Sequence, residues 1–208
     1  QRALEAFEQG IALNDSWSMV GKAALVMDGL VSTGKDARAE VPELLRKPDS
    51  EGLVPAFDLL VRLYTTTAFG EPDRQAALPV VKRLTERPTP EAKRWLALLV
   101  RNGTLYLPAD HGLALLPPWE YYAACAGLGW SSCYGEAGDS LLAMATRDDA
   151  LSDGEAMGFY TAPRGQEAVD LARAYYEKGA QAGDPRARLA IAALKLGDDV
   201  VLDNAEAK

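Results

Sequence analysis

The chain has 208 residues, of which 48% are hydrophobic and 25% are charged, and this composition excludes wholesale disorder. The formal net charge of −8 argues against binding to nucleic acid or to an anionic membrane surface, because both would repel the chain. No stretch approaches the roughly 20 apolar residues that a membrane span requires.

Helical signals dominate the first half of the sequence, and they predict helices in pairs. The predicted helices cover about 2–13 and 16–31, then 39–46 and 50–66, then 73–86 and 90–102. Pro48-Asp49-Ser50 is the predicted corner of the second pair, and Pro42 and Pro55 fit first-turn positions, where the missing N–H costs nothing. Pro79 either delays the start of its helix or kinks it.

Two irregular segments, 103–118 and 147–165, interrupt the second half of the sequence. Further helices are predicted over about 119–126 and 131–146, and over 166–182 and 185–196. Residues 105–107 are too short to support a sheet. We therefore predict a single all-α domain, an α/α solenoid of about five antiparallel helix pairs with two irregular loop insertions. The pairs cover roughly 1–34, 37–70, 73–103, 114–147 and 166–197.

The run from Ala168 to Gly197 has a weaker copy at the opposite end of the chain. When Phe7 is set over Tyr176, Asn14-Asp15 falls on Gly183-Asp184, and alanines coincide on both sides of this corner. Two helices that meet at such a corner, with alanines where they touch, are typical of stacked helical repeats.

The phrase from Tyr175 to Pro185 and the alanine-rich run after it resemble the Sel-one-like repeats, a subclass of the tetratricopeptide-like helical repeats. The resemblance implies that small residues let the helices approach closely, at Ala180, Gly183, Ala187, Ala190 and Ala193. It also implies a scaffold or adaptor. Bacterial members act in envelope assemblies, exopolysaccharide export and host-cell interaction, and as immunity proteins against delivered toxins.

The two cysteines indicate the compartment. When Tyr122 is set over Tyr176, Cys125 lies near the end of one helix and Cys133 in the opening turn of the next. A short antiparallel corner brings such positions within the roughly 7 Å that a disulfide allows, so we predict a Cys125–Cys133 bond and an oxidising compartment. Two buried free thiols are the alternative. The pair also resembles the disulfide of cysteine-rich secreted family members. Because the chain begins with Gln1, we expect a periplasmic or secreted protein whose signal or lipoprotein segment was removed.

The sequence offers little for catalysis. His111, the only histidine, follows Asp110 on an irregular segment and has no nucleophile beside it. The acidic segment 148–155 resembles a calcium loop only loosely, so a solvated acidic loop, with Ser152 or Asp153 capping a short helix, is the better interpretation. We predict no catalytic, cofactor or metal site.

Aromatic residues are concentrated around the cysteine corner. Trp130 takes the corner position of Asp184, and an exposed tryptophan there would need a partner. Alternatively, Tyr122 and Tyr134 pack between repeats and Trp119 staples the start of its helix. Trp17 and Trp95 are predicted core residues. The candidate partner-binding residues are Trp119, Tyr121, Trp130, Tyr134, His111, Asp148, Asp149 and Asp153.

Together these features favour a monomeric, non-enzymatic protein that binds one protein partner and neither nucleic acid nor a membrane. Within this class we expect an immunity protein that blocks a secreted antibacterial effector, since acidic charge would speed docking to a basic target. The alternative is a scaffold or adaptor in an exopolysaccharide-export or cell-envelope complex. A hydrolytic enzyme is the remote alternative.

Overall fold

The computed structural model describes residues 2–31, 34, 36–105, 107, 112–145, 151 and 153–206, with the backbone alone at 153 and 196–206. Regular structure in these residues is helical and includes no strand, which confirms the all-α prediction. The helices fall into two compact units, formed by 1–86 with 104–113 and by 87–103 with 114–208.

Among the residues that the structure describes, the first unit has five α-helices and a short 3-10 helix. They are α1 (Arg2–Ala12), α2 (Ser16–Met27), α3 (Ala37–Glu51), α4 (Val54–Thr65), the 3-10 helix (Thr67–Phe69) and α5 (Arg74–Glu86). Consecutive helices pack on one another, and their core includes Val41, Leu45, Phe57, Val61 and Leu84. Leu105 from the first irregular segment completes this core.

The described part of the second unit has six helices. They are α6 (Pro90–Arg101), α7 (Pro118–Gly127), α8 (Ser132–Ala145), α9 (Asp153–Ala156), α10 (Gly165–Gln181) and α11 (Pro185–Glu206). The α6 helix packs on α7, and α8 packs on both α7 and α10. Leu96, Tyr122, Leu141 and Tyr176 are its largest fully buried side chains. The predicted third pair, α5 and α6, is divided between the two units.

The predicted corner at Pro48-Asp49-Ser50 is wrong, because α3 continues through Pro48 to Glu51. Asp36 caps α3 by accepting the N–H of Arg38 at 3.1 Å, so the helix starts early and Pro42 lies beyond its first turn. The corner follows at Gly52, which adopts a positive φ of 80°. Pro55 does occupy the first turn of α4, as predicted.

Several of the described helices, among them α1, α2, α3, α7, α9 and α10, end with a Schellman motif. At four of these ends the residue with positive φ leads into the next helix of a pair, and φ is 61°, 80°, 112° and 91° for Asn14, Gly52, Gly129 and Gly183. The amide of that residue donates to the carbonyl three residues back, and the next amide donates five residues back. The corners α1–α2, α3–α4, α7–α8 and α10–α11 therefore share one backbone geometry, which makes their positions directly comparable.

Small residues do bring helices together, but not all at the predicted positions. A Cβ on Gly179 would lie 2.8 Å from the Cβ of Ala187, so this pair makes the close approach between α10 and α11. Ala187 is fully buried, as the resemblance implied, whereas Ala193 is exposed. Gly183 is also exposed, with open space beside it, and its role is to supply the positive φ of the corner.

Candidate protein-contact surface

Cys125 of α7 and Cys133 of α8 form the predicted disulfide pair. Their sulfurs are 2.05 Å apart and their Cα atoms 6.0 Å apart. Both residues are fully buried, so the bond lies beneath the α7–α8 corner. The alternative of two free thiols is excluded by this geometry.

The residues between the cysteines expose two large apolar side chains. Leu128 is 43% exposed and Trp130 is 44% exposed, on either side of Gly129. The backbone that carries them is ordered by the Schellman bonds, in which the N–H of Trp130 donates to the carbonyl of Cys125 at 3.4 Å. We call Leu128 and Trp130, together with the partly buried ring of Tyr134, the corner surface.

Trp130 stands where two of the three equivalent corners place a helix-capping carboxylate, whereas the α3–α4 corner has Leu53 and no side-chain cap. At the same position, Asp15 accepts the N–H of Ser18 at 2.8 Å and Asp184 accepts the N–H of Arg186 at 3.0 Å. An indole cannot accept these bonds, and substituting a good cap costs a helix about 0.5–2 kcal/mol. An exposed tryptophan at this position therefore works against the stability of α8. Violations of local sequence preference of this kind are expected at functional sites.

Trp119 and Tyr121 do not belong to the surface, because both are buried. Trp119 is 6% exposed and meets Tyr160 edge to face, with ring centroids 5.6 Å apart, and Tyr121 is 3% exposed. Burial also raises the pKa of the Tyr121 hydroxyl. The interpretation of Trp119 as a residue that fixes the helix start fits this position better than partner binding.

Tyr175 of α10 lies near Tyr134, the third member of the corner surface. The Cβ of Tyr134 lies 3.1 Å from the place where Gly179 would carry a Cβ, so Tyr134 is held against the end of α10. Desolvation, and then the nearby charge of Glu120, raises the pKa of Tyr175. The ammonium of Lys178 lies 5.2 Å above the Tyr175 ring, a cation–π contact. Tyr175 had not been predicted as a contact residue.

Polar contacts brace the helices behind the corner. Arg94 of α6 makes hydrogen bonds of 2.6–2.9 Å to both carboxylate oxygens of Glu136 on α8, and this partner raises the pKa of Arg94. The hydroxyl of Tyr176 donates to Asp139 at 2.7 Å and ties α10 to α8. Since α8 is fixed on two sides, the corner surface is presented from a rigid support.

The remaining predicted contact residues lie mostly outside the described part of the chain. His111, Asp148 and Asp149 fall outside the described residues, and Asp153 begins α9 with only its backbone described. The predicted short helix of this segment is therefore present as α9. Glu155, however, is buried rather than solvated. Its carboxylate accepts the N–H of Ala162 and two bonds from Arg164, all at 2.9 Å.

The prediction that Trp17 is a core residue is wrong, because its side chain is 59% exposed. The buried face of α2 consists of Ser16, Val20, Ala23, Val26 and Met27. Trp17 lies one position away from the stripe that these buried residues form along the helix. This offset can be read from the spacing of the residues in the sequence. Trp95, by contrast, is partly buried in α6.

A groove in the first unit is a separate concave feature. It encloses about 420 Å³ between α1, α2 and α3. Its lining includes the apolar residues Ile11, Met19 and Leu44 and the acidic residues Glu40 and Glu43. Its volume lies within the usual range for ligand sites, but it contains none of the residues that the sequence nominated.

Metal-binding clusters and membrane-spanning helices are both absent from the described residues. These residues contain no group of three or more His, Cys, Asp or Glu side chains placed to hold a metal ion. Of the helices they form, none combines the length and apolarity needed to cross a membrane. Comparisons of the chain with protein-family models, with curated proteins and with solved structures found no match.

Proposed function

We propose that this chain is a non-enzymatic protein that binds one protein partner through the corner surface. The observation that carries the proposal is Trp130, which is 44% exposed at a position where two of the three equivalent corners place a capping aspartate. Tryptophan is the residue most enriched in binding hot spots, and a fixed apolar anchor loses little conformational entropy on binding. Leu128 beside it enlarges the apolar area available to a partner.

The proposed compartment is extracytoplasmic. A disulfide pair at the corner supports an oxidising environment, because cytosolic thiols are normally kept reduced. The net charge of −8 would accelerate encounter with a basic partner. Within this class we propose an immunity protein that inhibits a secreted antibacterial effector, which is one of several roles that the resemblance to Sel-one-like repeats implies.

The proposal is tested by capture from envelope extract and secreted fractions. The immobilised oxidised protein is compared with Trp130→Ala and with Trp17→Ala, a matched control that removes a similarly exposed tryptophan from the first unit. We expect one secreted protein to be retained by the wild type and by Trp17→Ala, and to be lost from Trp130→Ala. The activity of that protein should fall when the purified chain is added.

Other outcomes separate the alternatives. Retention of envelope or polysaccharide-export proteins would replace the immunity role with that of an adaptor. Equal retention by wild type and Trp130→Ala would show that the corner surface is not used. Hydrolysis of ester, glycoside or peptide substrates by the purified chain would overturn the non-enzymatic assignment.

A further inference from the structure

Three corners of this chain form without a disulfide. The α1–α2, α3–α4 and α10–α11 corners have the same positive-φ residue and the same pair of backbone bonds as the α7–α8 corner. The positions equivalent to Cys125 and Cys133 hold Gly10 and Ser18, Pro48 and Ala56, and Gly179 and Ala187. A covalent bond is therefore not a requirement of this backbone geometry.

Two properties distinguish the α7–α8 corner from the others. The α8 helix begins two residues after Trp130, whereas α2, α4 and α11 begin directly after Asp15, Leu53 and Asp184. In addition, Leu128 and Trp130 are both exposed, and both lie inside the ring that the disulfide closes. A missing cap alone does not distinguish this corner, because Leu53 at the α3–α4 corner also provides no side-chain cap. The bond thus occurs where the second helix starts late and where apolar side chains are presented.

We propose that the Cys125–Cys133 disulfide serves the corner surface and not the fold: it holds Leu128 and Trp130 in their exposed geometry, and its reduction by a dithiol releases them. This inference rests on the proposed function of that surface. In this proposal the bond holds the two side chains in place before a partner binds, which keeps the entropic cost of binding low.

Reduction would proceed by thiol–disulfide exchange. The S–S bond accepts two electrons and two protons and becomes two thiols, while the dithiol loses the same number and closes to its own disulfide. The helices of the second unit keep their packing, because α8 is also held by α6 and α10. The corner between α7 and α8 is the part that loosens.

Hydrogen exchange measures this loosening without a partner. The test compares the oxidised wild type, the wild type reduced with dithiothreitol, and the double variant Cys125→Ala, Cys133→Ala. The amides of Leu128, Gly129 and Trp130 report on the corner, and the equivalent amides of Ala182, Gly183 and Asp184 are the internal reference. On reduction we expect exchange about tenfold faster at the first three, little change at the reference amides, and an unchanged helical circular dichroism spectrum.

A third variant, Trp130→Asp in the cysteine-free background, copies the capped corners. We expect it to restore protection of the Leu128 and Gly129 amides. Failure to restore protection would contradict the argument that the bond compensates for the late start of α8, and with it the proposal. Loss of helical signal in both the reduced wild type and the double variant would show that the fold requires the bond. Unchanged corner exchange would show that the bond does not order the surface.

These outcomes are independent of the capture experiment. One combination is faster corner exchange on reduction together with equal capture by the wild type and by Trp130→Ala. It would reject the proposed function and would still establish that the bond orders the corner. Normal capture by the reduced protein would reject the role of the bond and leave the proposed function in place.

Discussion

Gly138 of α8 lies at a close contact between α8 and α10 in the second unit. A Cβ at this position would stand 2.5 Å from the ring of Tyr176 on α10. The ring cannot move aside easily, because Tyr176 is 1% exposed and its hydroxyl is bonded to Asp139. The absence of a side chain at Gly138 therefore sets the distance between α8 and α10.

Replacing Gly138 with alanine should lower the free energy of unfolding by about 1–3 kcal/mol, because overpacking outweighs the higher helix propensity of alanine. Urea denaturation of purified protein measures the change. Gly127→Ala is the control, since open space surrounds that position at the end of α7, and it should have no destabilising effect. Similar losses in both variants would contradict the assignment of the effect to the Tyr176 contact.

Asp184 carries a buried carboxylate oxygen with an unmet hydrogen-bonding requirement. The residue is 3% exposed, its Oδ1 accepts the N–H of Arg186, and its Oδ2 has no hydrogen-bond partner. At the equivalent corner of the first unit, the hydroxyl of Ser18 donates to Asp15 Oδ2 at 2.6 Å. Ala187 stands at the position of Ser18 and has no hydroxyl.

We therefore expect Ala187→Ser to stabilise the protein by about 0.5–1.5 kcal/mol, the usual net value of a hydrogen bond to a buried acceptor. Gly179 leaves the space for the new hydroxyl, as Gly10 does above Ser18. Thermal unfolding followed by circular dichroism measures the change, with Ala187→Thr as a bulkier control that should be less stable. A serine variant with the stability of the threonine variant would show that the new hydroxyl does not reach Asp184.

At the level of helices and corners, the sequence predicted most of the fold because local rules decide it. Corners with Asn14-Asp15 and Gly183-Asp184 combine a residue that tolerates positive φ with a capping aspartate, and both were located correctly. The predicted α3–α4 corner is misplaced because Pro48 is tolerated inside α3, and the helix ends instead at Gly52, the residue with positive φ.

The contact surface was only partly predictable, since burial depends on contacts distant in sequence. Trp119 is covered by Tyr160, which lies in the second irregular segment. The residues close to Trp119 in the sequence do not indicate this contact. The corner position of Trp130 was local information, but its exposure was not, because Asp184 at the equivalent corner position is only 3% exposed. Leu128 was not singled out from the sequence, because an isolated leucine at a helix end has no distinctive pattern.

The short helix α9 is attached to the second unit by Glu155 and Gly154. A Cβ on Gly154 would lie 2.2 Å from the carbonyl oxygen of Val100, so the backbones of α9 and α6 touch. The Glu155 side chain is 4% exposed and binds both Arg164 and the backbone of Ala162. Through these bonds, the carboxylate of Glu155 holds together the two ends of the segment that contains α9.

Glu155→Ala should cost about 1–3 kcal/mol, because it leaves a backbone N–H and part of the Arg164 guanidinium without an acceptor. We expect protease cleavage within 151–164 to appear in this variant while the rest of the chain stays resistant. Glu155→Gln keeps an acceptor for Ala162 and should be cut more slowly than the alanine variant. Equal resistance of wild type and Glu155→Ala would show that the carboxylate does not secure the segment.

Across the whole molecule, the burial of tyrosines makes the free energy of unfolding depend on pH in the alkaline range. Desolvation is the largest cause that raises the pKa of Tyr64, Tyr121, Tyr122, Tyr175 and Tyr176. For Tyr176, the hydrogen bond to Asp139 raises the pKa further. A hydroxyl whose pKa is raised on folding stabilises the protein below the unfolded value of about 10, and this contribution is lost as pH rises beyond it.

The melting temperature should therefore stay level up to about pH 9 and then fall, as the unfolded chain ionises and the folded chain does not. Tyr176→Phe should melt lower at pH 8, because it lacks the bond to Asp139, and should lose less stability between pH 9 and 11. Melting curves at stepped pH measure both slopes. Parallel curves for wild type and Tyr176→Phe would contradict the contribution assigned to this hydroxyl.

The central claim is that the corner surface binds a protein partner, and the most direct test is capture with the two tryptophan variants. The account predicts that a single secreted protein binds the oxidised wild type and Trp17→Ala, and that Trp130→Ala retains at most about a tenth of it, as expected for a hot-spot truncation. The same protein retained equally by Trp130→Ala, or no protein retained by the wild type, would contradict the claim.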